Sequence, residues 1–378
     1  MNFGFKKYFL SLFIFLSLSL CEELVYEYTI HDGANLVSFP LISDNYNIDY
    51  FFSDSNNNLI TATPIEPHII SIITEGEMTF IDNEQWLGSL DEIDIKKGYW
   101  LISDQEMTFL FTGENLTDNI YYMHPGGNLI SYPFAESQSY YDALPIITDN
   151  ILAVLGENEA LYNNNGILIG SLTTFKPGKG YWFIVNDYTP FQYSNPSLSS
   201  NINHPDELLR DDEILEFNQS TLQSVFFIEK IYLSGNMNEN SIELKAICNN
   251  NIVGQSTWDE EFSDLIAMGN DGFSYTANYC SDNQKVEIEY NQNTLHILNG
   301  NNSWQSNNFE ILTLSDCDYG DLNLNHNLNI SDIILLIEHI TLISLLSNDH
   351  QIILADVNQD YSINVADIII IVDQILNN

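Results

Sequence analysis

From residue 24 to residue 196 the chain alternates apolar and polar side chains in short runs, punctuated by Gly, Pro and Asn. A period of two places successive side chains on opposite faces of a pleated backbone, so the pattern predicts short antiparallel strands. Two runs, Tyr99-Trp-Leu-Ile102 and Tyr181-Trp-Phe-Ile-Val185, are nearly continuous apolar β-formers and predict core strands. Alternation returns between 214 and 314, at 224–228, 242–247 and 285–290, where several strands at short spacing predict a β-sandwich. Towards the end the pattern changes to the aliphatic runs 333–337 and 368–372. These predict two helices with more apolar residues than one core face requires.

The alternating region is written twice. Gly33-Ala-Asn35-Leu-Val-Ser-Phe-Pro40, Trp86-Leu-Gly88-Ser-Leu90 and Lys97-Gly98-Tyr99-Trp100 return as Gly127-Asn128-Leu-Ile-Ser-Tyr-Pro133, Ile169-Gly170-Ser-Leu172 and Lys179-Gly180-Tyr181-Trp182. The opening landmarks are offset by 93 residues and the later ones by 82, which puts eleven extra residues in the first copy, most simply around 53–58. Neighbours in a strand face opposite ways, so at most one residue of each Tyr-Trp pair is free to stack on a sugar. Burial is the simpler role for both pairs. Trp86 has no aromatic counterpart in the second copy. The implied organisation is an export signal at 1–21, β-rich repeats at 22–115 and 116–196, a polar linker at 197–213, a β-sandwich-like domain at 214–314 and a small all-α unit at 315–378. The fold class is therefore multidomain and mainly β, with a helical C-terminal domain.

A second duplication occupies that last unit. Asp321-Leu-Asn323-Leu-Asn325-His-Asn327-Leu-Asn329-Ile-Ser-Asp332 returns 35 residues later as Asp356-Val-Asn358-Gln-Asp360-Tyr-Ser362-Ile-Asn364-Val-Ala-Asp367. Oxygen-bearing side chains fall at the first, third, fifth, ninth and twelfth places of both copies. A twelve-residue loop with that spacing can surround one Ca²⁺, which takes six to eight hard oxygen ligands. A metal-free helical hairpin with an Asn/Asp-rich loop is the plainer reading, although it does not require oxygens at these offsets.

The segment resembles a type I dockerin, a duplicated calcium loop and helix that binds cohesin domains. The resemblance covers about the last sixth of the chain and rests on Gly320-Asp321-Leu-Asn323, Ala355-Asp356-Val-Asn358, the Asp at each loop end and the spacing. It implies two Ca²⁺ sites, one from Asp321, Asn323, Asn325 and Asp332 with the carbonyl of Asn327. The other takes Asp356, Asn358, Asp360 and Asp367 with the carbonyl of Ser362. The second loop has three carboxylates against two, so it is expected to bind more tightly. The resemblance also implies partner contacts at the tenth and eleventh places, here Ile330, Ser331, Val365 and Ala366, where the family's usual hydroxyl pair is missing. His326 and Tyr361 stand at sixth places that usually hold Gly, an expected left-handed position costing on the order of 1 kcal/mol. The β modules resemble repeats of secreted and surface proteins of marine and gliding bacteria, a resemblance that transfers no activity.

Charge and cysteines narrow the setting. With 53 acids against ten Lys and Arg, the net charge of −43 repels nucleic acid and anionic membrane. Lys6 and Lys7 precede the apolar run from Tyr8 to Leu20, and Glu22 follows at once. This predicts a cleaved secretory signal and a secreted or cell-surface protein, with lipid anchoring at Cys21 as the alternative and no membrane span in the mature chain. Of the remaining cysteines, Cys248 and Cys280 lie in apparent strands of one domain and are the expected disulfide, leaving Cys317 free. Gly269-Asn270-Asp271-Gly272 reads first as a turn and second as a cation loop.

No metalloprotease, nucleophile-elbow or phosphate-loop motif is present, and the eight His are scattered. The sequence therefore points to a non-catalytic protein attached through its C-terminal unit to a cohesin-like partner. One alternative is a component of a polysaccharide-degrading assembly, with carbohydrate as ligand or a hidden hydrolase site. Another is a C-terminal unit that clasps its own neighbouring β domain or serves as a secretion tag.

Overall fold

In the computed structural model, which describes residues 24–42, 45–83, 85–115, 119–144, 150–196, 217–235, 241–258 and 262–377, the N-terminal duplication builds one sheet twice. The first has the strand order Gly33–Ser38, Gly98–Ser103, Ile69–Thr74, Glu77–Asp82, Gln85–Gly88. The second runs Gly126–Ser131, Gly180–Val185, Ile151–Leu155, Ala160–Asn164, Ile167–Ile169, the same order element for element. The proposed signal at 1–21, Cys21 and the linker at 197–213 lie outside the described residues.

Each Tyr-Trp strand is the second in its sheet, paired on both sides. Tyr99 and Tyr181 are buried, and each phenol accepts a backbone N–H five residues upstream, from Asp94 at 2.6 Å and Lys176 at 2.9 Å. Trp100 and Trp182 point to the opposite face and join Leu36, Ile102 and Leu129 in a small cluster between the copies. Both faces of these strands are covered, so neither pair offers a sugar platform. Trp86 is half-buried beside Phe52. The first copy also has the short strand Leu59–Ile60 on Met107–Asn115 and the turn Glu66–His68.

The copies dock reciprocally. The Ser38 N–H donates to Gly178 O at 2.7 Å, and its counterpart Ser131 donates to Lys96 O at 3.0 Å. Both hydroxyls repeat the exchange, with Lys179 O at 2.7 Å and Ile95 O at 2.8 Å. Backbones come this close because Gly98 and Gly180 meet there. A Cβ on Gly180 would sit 2.8 Å from Val37 O and 3.0 Å from the Gly98 Cα. Gly180→Ala is therefore expected to destabilise the repeat pair by about 2 kcal/mol, through overpacking against backbone. Urea unfolding of the variant should show the lower midpoint, and an unchanged midpoint would refute this close contact.

The third β unit has two four-stranded sheets, Ser263–Met268, Gln223–Tyr232, Asn308–Ser315, His296–Asn299 and Asn251–Trp258, Ile242–Cys248, Glu287–Tyr290, Asn293–Thr294. They share one core, which also takes in Ala153, Leu155 and Ala160 of the second repeat. Tyr162 of that repeat sits 5.2 Å from Phe227 and 5.3 Å from Phe309, ring to ring. Cys248 closes a strand and is disulfide-bonded to Cys280, which lies outside the named strands. The Asp271 carboxylate accepts from the N–H groups of Phe273 and of Thr221, 50 residues away, and from Thr276 Oγ1, with Gly272 at φ 92°, so its oxygens in the 269–272 bend are already taken by protein donors.

After this sheet come the helices Ile330–Ile340, Asp349–Ala355 and Val365–Asn377. The short middle helix, capped by Asn348, is an element that the hydrophobic pattern does not announce. Leu322, Leu336, Leu354 and Ile371 are the centre of a core that includes Leu298 and half-buried Tyr232 from the β unit. Among the described residues no helix is long and apolar enough to cross a membrane.

Candidate metal and docking site

The two copies of the twelve-residue pattern have one backbone conformation. Their fourth places, Leu324 and Gln359, both have φ 57°, and their sixth places, His326 and Tyr361, have φ 63° and 65°. That is the left-handed turn expected where glycine is usual, here taken by non-glycine residues. Hydrogen bonding repeats in the same register. The first-place carboxylates accept from the fifth and sixth N–H groups, Asp321 from Asn325 at 3.2 Å and His326 at 2.7 Å, Asp356 from Asp360 at 3.1 Å and Tyr361 at 2.8 Å. The fifth-place side chains of Asn325 and Asp360 each accept from the seventh N–H at 2.9 Å. The twelfth-place carboxylates reach back over the loop. Asp332 accepts from Leu322 and Asn323 at 3.0 Å and from Asn329 at 2.9 Å, and Asp367 accepts from Asn358 at 3.3 Å and Asn364 at 2.9 Å.

Of these four carboxylates three are buried and Asp356 is half-buried. Asp332 and Asp367 are 0% exposed and Asp321 is 1% exposed. From residue 286 to the end the chain has no Lys or Arg. Among the described residues no ion pair reaches Asp321, Asp332, Asp356 or Asp367. Backbone N–H groups alone offset only part of the cost of burying a charge. Asn323, at a third place, has its Oδ1 buried and without a hydrogen-bond donor. A buried carboxylate pair and an orphaned amide oxygen facing one loop are a donor set that suits a hard cation. The second loop is more open at its first place, where Asp356 is half-buried and its counterpart Asp321 is buried. Asp360 and Ser362 are exposed, and the Asn358 amide donates to Asp360 Oδ2 at 2.9 Å. The carbonyls of Asn327 and Ser362 accept from the amides of Asn329 and Asn364 at 2.7 and 2.9 Å.

The helices have two apolar faces each. Ile333, Leu336 and Ile340 of the first, and Ile368, Ile371 and Ile375 of the second, pack inward. Ile330, Ile334 and Ile337, and 35 residues on Val365, Ile369 and Val372, remain exposed on the outside. Ile330 is 69% and Val365 59% exposed, with Ser331 exposed and Ala366 half-buried beside them. The underside of the unit is engaged by the β domain. His350 stacks on Tyr232 at 5.1 Å and meets Ser315 Oγ at 2.9 Å, while the Tyr319 hydroxyl donates to Leu298 O at 2.8 Å.

A third cluster lies beside the first loop and belongs, as a set, to none of the sequence motifs. Ligand atoms of Asp316, Cys317 and His326 all lie within 4.8 Å of one another. Cys317 is buried and free. Burial, with the Asp316 and Asp321 carboxylates nearby, holds its thiol far above the usual range. The available signal was His326 itself, a bulky side chain where the resemblance leads one to expect glycine.

No protein-family model matches the chain, and no curated protein matches it.

Proposed function

We propose that this chain is a non-catalytic, exported modular protein whose C-terminal unit is a dockerin-like, calcium-dependent attachment module for a cohesin-like protein. The observation that carries this reading is the pair of outer apolar stripes, Ile330, Ile334, Ile337 and Val365, Ile369, Val372, repeated at one offset on two helices whose inner faces already fill a core. Solvated aliphatic stripes at matching positions on both helices favour an intermolecular surface over a clasp on the β domain, which engages only the other side.

When bound, Ca²⁺ would supply the positive charge that the loop carboxylates lack. Asp321, Asn323, Asn325, Asp332 and the Asn327 carbonyl would hold it in one loop. Asp356, Asn358, Asp360, Asp367 and the Ser362 carbonyl would do so in the other. The first- and twelfth-place acids hold the loop backbone to the start of each helix, so metal occupancy and helix order form one linked equilibrium.

Calorimetric Ca²⁺ titration of the full chain is expected to show two sites, one of them lost in Asp356→Ala with Asp367→Ala. Absence of binding below millimolar Ca²⁺ would end this reading. In the calcium-loaded protein, Ile334→Asp with Ile369→Asp should weaken binding to immobilised cohesin domains at least about tenfold, as charge at the centre of an apolar interface does. Helical circular dichroism should be unchanged, because neither side chain contributes to the core. Equal retention of wild type and variant would sink the docking surface. The carbohydrate alternative would use exposed Tyr122, within the ribbon 120–123 and 189–192, and Tyr188 just before its second strand.

A further inference from the structure

We propose that Asp316, Cys317 and His326 form a binding site for one borderline transition-metal ion, with Zn²⁺ the best match, at the seam between the third β unit and the first loop. A thiolate, an imidazole and a carboxylate are the donors that Zn²⁺ takes. Cys317 Sγ and His326 Nδ1 are 3.7 Å apart. Two ligands at Zn–S and Zn–N bond lengths on a tetrahedron would be roughly 3.6 Å apart. The pair is therefore spaced to share an ion, which would replace the Asp316 carbonyl now 3.0 Å from Nδ1 and would draw the Asp316 carboxylate, whose Oδ2 lies 3.9 Å from Nε2, round to the Nδ1 side.

The surroundings are prepared for it. With Nδ1 on the metal, Nε2 faces Ser234 Oγ at 3.0 Å, the outer hydrogen bond that fixes a ligating imidazole. The same hydroxyl donates to Asp316 Oδ2 at 2.8 Å, and the Ser234 N–H reaches both carboxylate oxygens at 2.9 Å. One serine thus orients two of the three ligands. Asp316 belongs to the β unit through its N–H to Tyr232 O at 3.1 Å. His326 belongs to the loop through its N–H to Asp321. An ion held by both would tie the docking unit to the β unit that carries it. It would also explain why a left-handed position at φ 63° carries His instead of glycine.

The site is independent of the calcium reading, and the test separates the two. Full-length, thiol-reduced protein saturated with Ca²⁺ is titrated with Co²⁺, followed by Zn²⁺. The expected result is one equivalent of Co²⁺ with a thiolate-to-metal charge-transfer band, displaced by Zn²⁺. Cys317→Ser should abolish the band. His326→Gly relieves the backbone and leaves the loop its usual residue, so its fold and Ca²⁺ binding should persist. Its Zn²⁺ affinity should fall at least about tenfold, since even outer-shell partners cost 10–100-fold. No charge-transfer band in the wild type, or Zn²⁺ bound equally tightly by His326→Gly, would overturn the proposal.

Discussion

Asp332→Ala is expected to unfold the C-terminal helices while the β units remain folded. The carboxylate is fully buried and takes three backbone N–H groups, from Leu322, Asn323 and Asn329, the last as half of a capping box with the Asn329 side chain. Deleting it strands those donors and opens the first helix, a loss of about 3–5 kcal/mol. The core of this unit is small, centred on a few residues such as Leu336 and Ile371, and it has little stability to spare. Far-ultraviolet circular dichroism in saturating Ca²⁺ should lose most of its helical signal. Asp332→Asn keeps an acceptor oxygen in place and should stay folded, and under the proposed calcium reading it should bind Ca²⁺ roughly tenfold more weakly, because a charged ligand would be removed. Full helicity in Asp332→Ala would show that the buried carboxylate does not hold the loop.

Glu157→Gln should loosen the joint between the two repeats by about 3 kcal/mol at neutral pH, as removing one partner of a buried ion pair does. Glu157 lies in the second repeat and is 14% exposed. It accepts from the Leu36 N–H at 2.9 Å and from Lys179 at 3.1 Å and meets His31 Nε2 at 2.9 Å. Burial alone would raise its pKa, but Lys179 and then His31 outweigh burial and bring it down to about 2. The counterpart contact of the first repeat, Glu75 with His124 and the Leu129 N–H, is more exposed and should matter less.

A carboxylate lowered from 4.5 to about 2 adds stability that is complete above pH 4.5 and lost as pH falls towards 2. Glu159, two residues on, does the reverse. Burial raises it to about 7 against the pull of Lys176 and Lys179, so its contribution is complete below 4.5 and fades as pH rises through 7. For His31, partial desolvation pulls the pKa down but Glu157 outweighs it and shifts it upward, which likewise favours the acidic side. Thermal midpoints of the wild type should therefore peak in mildly acidic buffer. Glu159→Gln should raise the midpoint at pH 8, and Glu157→Gln should flatten the acid limb. A wild-type midpoint independent of pH between 3 and 8 would rule this electrostatic joint out.

Much of the local structure was legible in the sequence because it depends on near neighbours. Nearly continuous apolar β-formers marked the core strands at Tyr99 and Tyr181, and the matching landmarks of the two repeats became matching strand orders. The oxygens at fixed places in the twelve-residue pattern became one hydrogen-bond register used twice. The middle helix Asp349–Ala355 escaped notice because its seven residues are too few to show a period.

By itself, then, the sequence determined the strand-rich character of the described residues in its two β regions, 24–196 and 214–314, the duplication at both ends and the shape of the two C-terminal loops. Those follow from the side-chain period and from turn conformation, which span only a few residues. Tertiary structure alone decided that Glu157 would meet His31 across 126 residues of chain, that Tyr162 would settle against Phe227, and that Asp316, Cys317 and His326 would converge. It also decided which aliphatic face of each final helix stays in solvent. Such pairings arise from how whole sheets and helices are laid against one another, and residue spacing along the chain does not encode that placement.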